Sequence, residues 1–291
     1  MKPSSFHPQL DKRRRYGRIM AGVLFLCTIL GLLVLATLIV DVVTTGAGWL
    51  SRSFVTGYPS ATPEGSGIWP ALIGSLYLMG VVAVTAVPLG VGTALYLEEY
   101  AEAGPFKRVV QVNITNLAGV PSVVYGILGL GVFVYLFSMG SSLLAAGLTL
   151  SLLILPIIVI SSQEALRSIP QGVRQSAFAL GATRSQVIWY HLIPMALPGI
   201  LTGIILSLSR AVGETAPLVL VGAALAINFT PAHVLDDFTA LPMLVFQWTE
   251  EPGAAFQELA AAAIIVLLAF LLLMNLSAIL LRNYFEDQLA G

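Results

Sequence analysis

Apolar residues in this chain do not alternate with polar ones; they gather in long runs separated by short polar stretches. Runs able to cross about 30 Å of hydrocarbon, which takes roughly 20 residues of helix, occupy positions 18–43, 69–97, 110–137, 142–161, 196–226 and 259–281. The pattern predicts an all-α, polytopic membrane protein with six transmembrane helices. Gly and Pro recur inside the runs, as in TAVPLGVGTALYL and LAGVPSVVYGILGLG. Membrane helices accommodate them because neighbouring helices re-satisfy freed backbone groups, so kinks and close helix contacts are expected. The first run follows DKRRRYGR and is too long for a secretory signal, so it reads as a retained helix. A long polar loop separates it from the other five, which predicts a peripheral position.

Composition sharpens this picture. With 57% hydrophobic and 10% charged residues and a mean hydropathy of +0.90, the chain exceeds what a water-soluble core of this length can hide. A net charge of -1 gives no ground for nucleic-acid binding. Cys27 is the single cysteine, which excludes an intrachain disulfide or a cysteine metal cluster. His7, His191 and His233 are scattered, no His/Asp/Glu group has metal-ligand spacing, and no phosphate-cradling Gly-rich loop occurs. No metal, cofactor or catalytic activity is therefore expected.

The basic residues set the orientation. Lys2, Lys12, Arg13, Arg14, Arg15 and Arg18 precede the first helix, Lys107 and Arg108 follow the second, Arg167, Arg174 and Arg184 follow the fourth, and Arg282 follows the sixth. Arg52 stands on the other side and Arg210 within a span. By the positive-inside rule both termini are cytoplasmic, and the loops 44–68 and 227–258 are extracytoplasmic. The acidic pairs Glu98-Glu99, Asp236-Asp237 and Glu250-Glu251 fall at membrane edges and read as solvated faces.

Two constellations stand out. Within SRAVGETAPL, Arg210 and Glu214 are four residues apart, so on a helix they share a face and can pair. An ionisable residue at the centre of a membrane helix costs about 2.5 to 3.5 kcal/mol on the milder insertion scales, which favours a functional role. The plainer alternative is an ion pair that only orients this helix. A guanidinium fork matches the oxygens of phosphate, sulfate or carboxylate. Thr215 adds a hydroxyl, and Gly213 and Pro217 predict a bend there. The second constellation is the polar stretch 163–194, where SIPQGVRQSAFAL and ATRSQVIWYHLI meet at Gly181. Two short helices joined at a glycine would form a knob for a soluble partner. A branched residue at 181 is expected to crowd the turn.

The knob resembles the coupling loop of bacterial ABC importer permeases. Their pattern is Glu-Ala-Ala, three residues, Gly, nine residues, Ile, one residue, Leu-Pro; here Gln175, Ser176, Ala177, Gly181, His191, Ile193 and Pro194 fall in those places. LEEYAE at 97, LAGVPSVVYGILGL at 117, LTLSLLILPIIVISSQEALRSIP at 148 and ALPGILTGIILSLSRAVGETAPL at 196 resemble, in order and spacing, the PstA-type subunit of phosphate ABC importers. The resemblance covers roughly 67–282 and implies a type I ABC importer permease fold. It divides the chain into 1–66 (basic N-terminus, first helix and outer loop), 67–282 (the membrane domain with its coupling loop at about 163–194) and a cytoplasmic tail at 283–291.

The same resemblance implies a second permease of PstC type, ATP-binding subunits of PstB type that hydrolyse the ATP, a phosphate-binding protein of PstS type, and residence in the bacterial inner membrane among its lipids. Arg210, Glu214 and Thr215 would line the substrate path; Gln175, Ser176, Ala177, Gly181 and Pro194 would meet the ATPase. The chain departs from such permeases where they often carry Arg-Thr-Thr: here stand Ile160, Ser161 and Ser162. Alternatives left open are a permease for sulfate, molybdate or tungstate, and a secondary anion transporter using Arg210 and Glu214 as a proton relay.

Overall fold

The computed structural model describes residues 10–223 and 227–290; Lys2, His7 and the end of the fifth predicted run at 224–226 lie outside them. Among the described residues there is no strand, only an isolated bridge between Ser142 and Asp237. Twelve α-helices follow one another: α1 (Leu10–Gly46), α2 (Arg52–Thr56), α3 (Trp69–Leu95), α4 (Pro105–Ala118), α5 (Ser122–Gly129), α6 (Leu143–Arg167), α7 (Gln171–Ala179), α8 (Arg184–Val187), α9 (Ile193–Val212), α10 (Ala216–Val221), α11 (Leu241–Glu250) and α12 (Ala254–Ala290). Wider, π-type turns extend α3 over Tyr96–Tyr100, extend α5 over Leu130–Leu136 and join α8 to α9 over Ile188–Leu192. Five helical stretches are long and apolar enough to span a bilayer, and six if α4 and α5 count as one broken span.

The kink expected in the third run is a full break. Its two halves, Pro105–Ala118 and Ser122–Leu136, meet at 105°. Pro121 has no N–H to donate and pushes Val120 out of helical geometry, and Gly119 just before it offers no resistance.

The body is organised around α6, two-thirds of whose most apolar stretch is buried. It packs against α3, α9, α5 and α4. Small residues set how closely the helices approach, as lipid tails supply no hydrophobic drive between them. A Cβ on Gly90 of α3 would lie 2.6 Å from Ile158 Cγ2, and one on Gly147 of α6 would lie 2.5 Å from Val81 Cγ1. Between these points the Thr85 and Ser151 hydroxyls hydrogen-bond across the interface at 2.6 Å. Leu78, Val82 and Ala86, spaced by four, give α3 its buried stripe.

The first helix is peripheral, as its long loop suggested. No residue in the most apolar stretch of α1 is buried, and the helix packs chiefly on α12. It is fastened at one end: a Cβ on Gly46 would fall 2.5 Å from Ala262 N, and Trp49 Nε1 donates to Glu258 Oε2 at 2.8 Å. At that end Phe54, Ile68, Leu244 and Trp248 form a second core beneath α2 and α11.

Candidate functional site

Arg210 occupies the last turn of α9, roughly 25 Å along the axis from Ile193 at 1.5 Å per residue. This corrects the expectation of a charge at mid-helix. At a helix C-terminus a cation meets the negative end of the dipole, which lowers its cost in a membrane. The bend at Gly213 is a complete break. α9 stops at Val212, Gly213 and Glu214 donate their N–H groups to Arg210 and Ala211 carbonyls at 3.3 Å each, and the chain restarts as α10 at Ala216.

The charge pair forms across the break, with Arg210 Nε donating to Glu214 Oε1 at 3.4 Å. Glu214 is 17% exposed and the Arg210 side chain 53%. Neither terminal guanidinium nitrogen of Arg210 has a partner among the described residues. Thr215 begins α10 without capping it by its side chain, and stays half-buried. Next to Arg210, Ser209 Oγ donates to Asn275 Oδ1 on α12. Asn275 is a polar neighbour of the site that no local pattern announced.

The seat of the site is the crossing of α9 on α6. A Cβ on Gly203 would lie 2.5 Å from Ser161 Cβ and one on Gly199 would lie 2.8 Å from Ala165 Cβ. Ser161 is therefore a packing residue, and Ile160 beside it is half-buried. Ser162 is fully buried and its Oγ has no hydrogen-bond partner.

The knob has the predicted form. Gly181 ends α7 with φ +84°, a left-handed conformation that favours glycine. Thr183 and Gln186 then cap α8 reciprocally: Gln186 N donates to Thr183 Oγ1, and Thr183 N to Gln186 Oε1. A Cβ at Gly181 would meet nothing within 4 Å, which corrects the expectation of crowding; the constraint is the backbone angle. Gln175 and Ser176 are exposed, and Pro194 is half-buried in the first turn of α9. Ala177 is buried with Leu166, Ile169, Val187 and Leu192, so it holds the knob together from within. Leu180 is 89% exposed and Phe178 50%. These exposed apolar side chains were missed, although an exposed Leu beside a turn glycine in a polar stretch was a usable signal.

The reading of Glu98 and Glu99 as solvated is overturned. Their side chains are 12% and 11% exposed. Glu98 Oε1 accepts from Arg167 Nη2 at 2.6 Å and Gln163 Nε2 at 2.9 Å. Glu99 Oε1 accepts from Arg174 Nη2 at 2.7 Å. Arg174 also donates to the carbonyls of Leu166 and Ile169, which caps the end of α6. Gln163 and Gln111 exchange two amide hydrogen bonds at 2.9 and 3.0 Å, and the Arg184 guanidinium lies 5.3 Å from the centre of the Tyr100 ring. The desolvated acids have found their counter-ions 69 and 75 residues away.

At the opposite end of the bundle, Asp236 is also more than a solvated face. Its Oδ2 accepts the N–H groups of Ala232 and His233 at 2.9 and 2.8 Å, and these bonds hold its carboxyl below the usual aspartate range. A cavity of about 350 Å³ opens there beside Ser60, Asn228, Gln247, Trp248 and Glu251. Among the described residues no three His, Cys, Asp or Glu side chains converge as metal ligands.

The family described as binding-protein-dependent transport system inner membrane component matches residues 86–290. A phosphate transport system permease protein PstA 1 of Mycobacterium tuberculosis (strain CDC 1551 / Oshkosh) is 35% identical over 290 residues, 97% of this chain and 93% of that protein. A PstA phosphate permease of Haemophilus influenzae is 30% identical over 276 residues, covering 95% of this chain and 96% of that protein. Among solved structures, a bacterial ABC transporter involved in import of the acidic polysaccharide alginate superposes with a TM-score of 0.68 over 95% of this chain and 99% of that one, at 16% identity. That likeness establishes the fold.

Proposed function

The chain belongs to the family of binding-protein-dependent transport system inner membrane components, and we propose that within it the chain is a phosphate permease, one subunit of an ATP-driven importer. The observation that carries the chemistry is the Arg210 fork. Both of its terminal nitrogens are unpaired among the described residues, it sits on the exposed side of the subunit, and one Glu214 oxygen holds it from behind. Such a fork can take two oxygens of a tetrahedral anion at once. Glu214 keeps it oriented between anions, and the break at 213–215 is the irregular backbone that membranes tolerate where it lines a path. The full-length likeness to PstA-named relatives favours phosphate over sulfate, molybdate or tungstate.

On this reading a second permease of PstC type completes the path beside Arg210, Glu214 and Thr215. ATPase subunits of PstB type seat on the cytoplasmic knob at Gln175, Ser176, Gly181 and Pro194, with Ala177 supporting it from inside. A PstS-type binding protein delivers phosphate to loops 44–68 and 227–258, and both termini face the cytoplasm. The test is phosphate uptake by the reconstituted importer, with sulfate and molybdate as competitors. Phosphate alone should compete, and Arg210→Lys should lose most uptake because an ammonium cannot grip two oxygens in a plane. Uptake that sulfate or molybdate suppresses equally, or an Arg210→Lys variant that transports normally, would refute the assignment.

A further inference from the structure

We infer that the knob is fastened to the end of α3, so that a push on the knob moves α3 together with α9; the inference rests on reading the knob as the seat of the ATPase. Three arginines lie in the segment from 163 to 194, and each meets one of three consecutive residues just beyond α3: Arg167 pairs with Glu98, Arg174 with Glu99, and Arg184 stacks on Tyr100. Arg174 is itself part of α7, and only 21% of its side chain is exposed. An acid held at 11% exposure against it is an expensive arrangement unless both charges stay paired, so the contact resists separation through any movement of the knob.

The link from the knob to α9 is covalent and apolar: α8 runs on into α9, and Ala177 and Val187 pack with Ala196 and Ile200. It passes the π-type turn Ile188–Leu192 with no ion pair across it among the described residues, whereas on the α3 side the π-type turn Tyr96–Tyr100 is itself held by the paired Glu98 and Glu99. A π-type turn is a local interruption of regular helix geometry, of the sort found at functional sites. The ion pairs therefore give α7 a second connection, into α3, whose Thr85 is hydrogen-bonded to Ser151 in mid-bundle. Glu98 and Glu99 are positioning residues for transport that touch no substrate.

The test uses the complete importer in proteoliposomes supplied with ATP and inorganic phosphate, comparing parent, Glu99→Gln, Arg174→Gln and the exchanged pair Glu99→Arg/Arg174→Glu. The single variants should keep the ATPase bound and hydrolysing while phosphate moved per ATP falls about tenfold, inside the roughly 5- to 150-fold range of couplings between sites. The exchanged pair restores the ion pair but not the Arg174 bonds to the Leu166 and Ile169 carbonyls, so it should recover part of that ratio. An unchanged ratio in assembled single variants overturns the inference, as does an assembled exchanged pair whose ratio stays low. Where charge variants fail to assemble, spin labels at Tyr96→Cys and Leu180→Cys in a Cys27→Ser importer decide; both positions are exposed. A label distance that holds constant between nucleotide-free and ATP-bound states supports fastening, and one that changes overturns it. A crosslinker at Leu180→Cys that captures no ATPase would sink the seat reading alone, since the label distance reports on fastening separately.

Discussion

Replacing Gly203 with Ala puts a methyl group into the tightest point of the α6–α9 crossing. The new Cβ would stand 2.5 Å from Ser161 Cβ and closer still to Ser161 Oγ, while Ser161 Cα, at 3.8 Å, is in ordinary contact. All of the conflict therefore comes from two side-chain atoms of one residue. Overpacking of this kind costs about 1–3 kcal/mol, and the higher helix propensity of Ala returns about 1 kcal/mol. Ser161→Gly alone loses about 0.5 kcal/mol of propensity. In the double variant the obstructing atoms are gone, so it should be as stable as the parent. The two changes should couple by about 1–3 kcal/mol, the whole of the overpacking term. Unfolding midpoints of the four proteins in mixed detergent micelles give that coupling directly. A value under about 0.5 kcal/mol, the additivity error of distant sites, would mean that the helices part freely here and that the crossing does not fix Arg210.

Three further outcomes follow from the geometry. At Gly181 a non-glycine residue at φ +84° costs about 1–2 kcal/mol, least for Asn and most for β-branched Val; thermal stability and ATPase retention should fall in the order Asn, Ala, Val, whereas crowding would make the similarly sized Asn and Val alike. The Asp236 carboxyl titrates below its ordinary value in the folded chain, so its contribution is present above the unfolded pKa and is lost as pH falls through the folded one; protection of the His233 and Ala232 amides from hydrogen exchange, taken relative to the intrinsic rate at each pH, should fall below the ordinary carboxylate range, and Asp236→Asn should remove that dependence. Ser162→Ala should be neutral or stabilise by about 1 kcal/mol, because the Ser162 hydroxyl is buried without a partner; a marked loss of stability would show that the hydroxyl is bonded.

What the sequence disclosed and what it concealed divide along a physical line. Spans are long apolar runs, and the knob and the α9 break are punctuated by Gly181, Gly213 and Pro217, so each is written in neighbouring residues. Pairing between Glu98 and Arg167, or Glu99 and Arg174, depends on where the chain returns after 69 or 75 residues, and nothing local marks it. Charges at a membrane edge look solvated until a partner segment is folded over them. The 105° turn between α4 and α5 lay in between: Gly119 and Pro121 announced an interruption, but its angle is set by how α5 packs, with Gly126 a would-be Cβ distance of 2.9 Å from Pro217. Arg210 stands at the end of α9 and not in its middle, because the length of α9 depends on where it stops.

The single seam between α1 and α12 has an evolutionary corollary. A residue is held to its identity by the neighbours it would offend, and along the most apolar stretch of α1 the chain buries no residue, until Gly46 and the Trp49 hydrogen bond. Within the subunit, that stretch answers to a thickness of oil and not to a particular lettering. Exchanges among Leu, Ile, Val and Phe should pass unnoticed there, whereas Gly46 and Trp49 should not tolerate replacement, which makes this stretch a long word with its meaning just past its last characters.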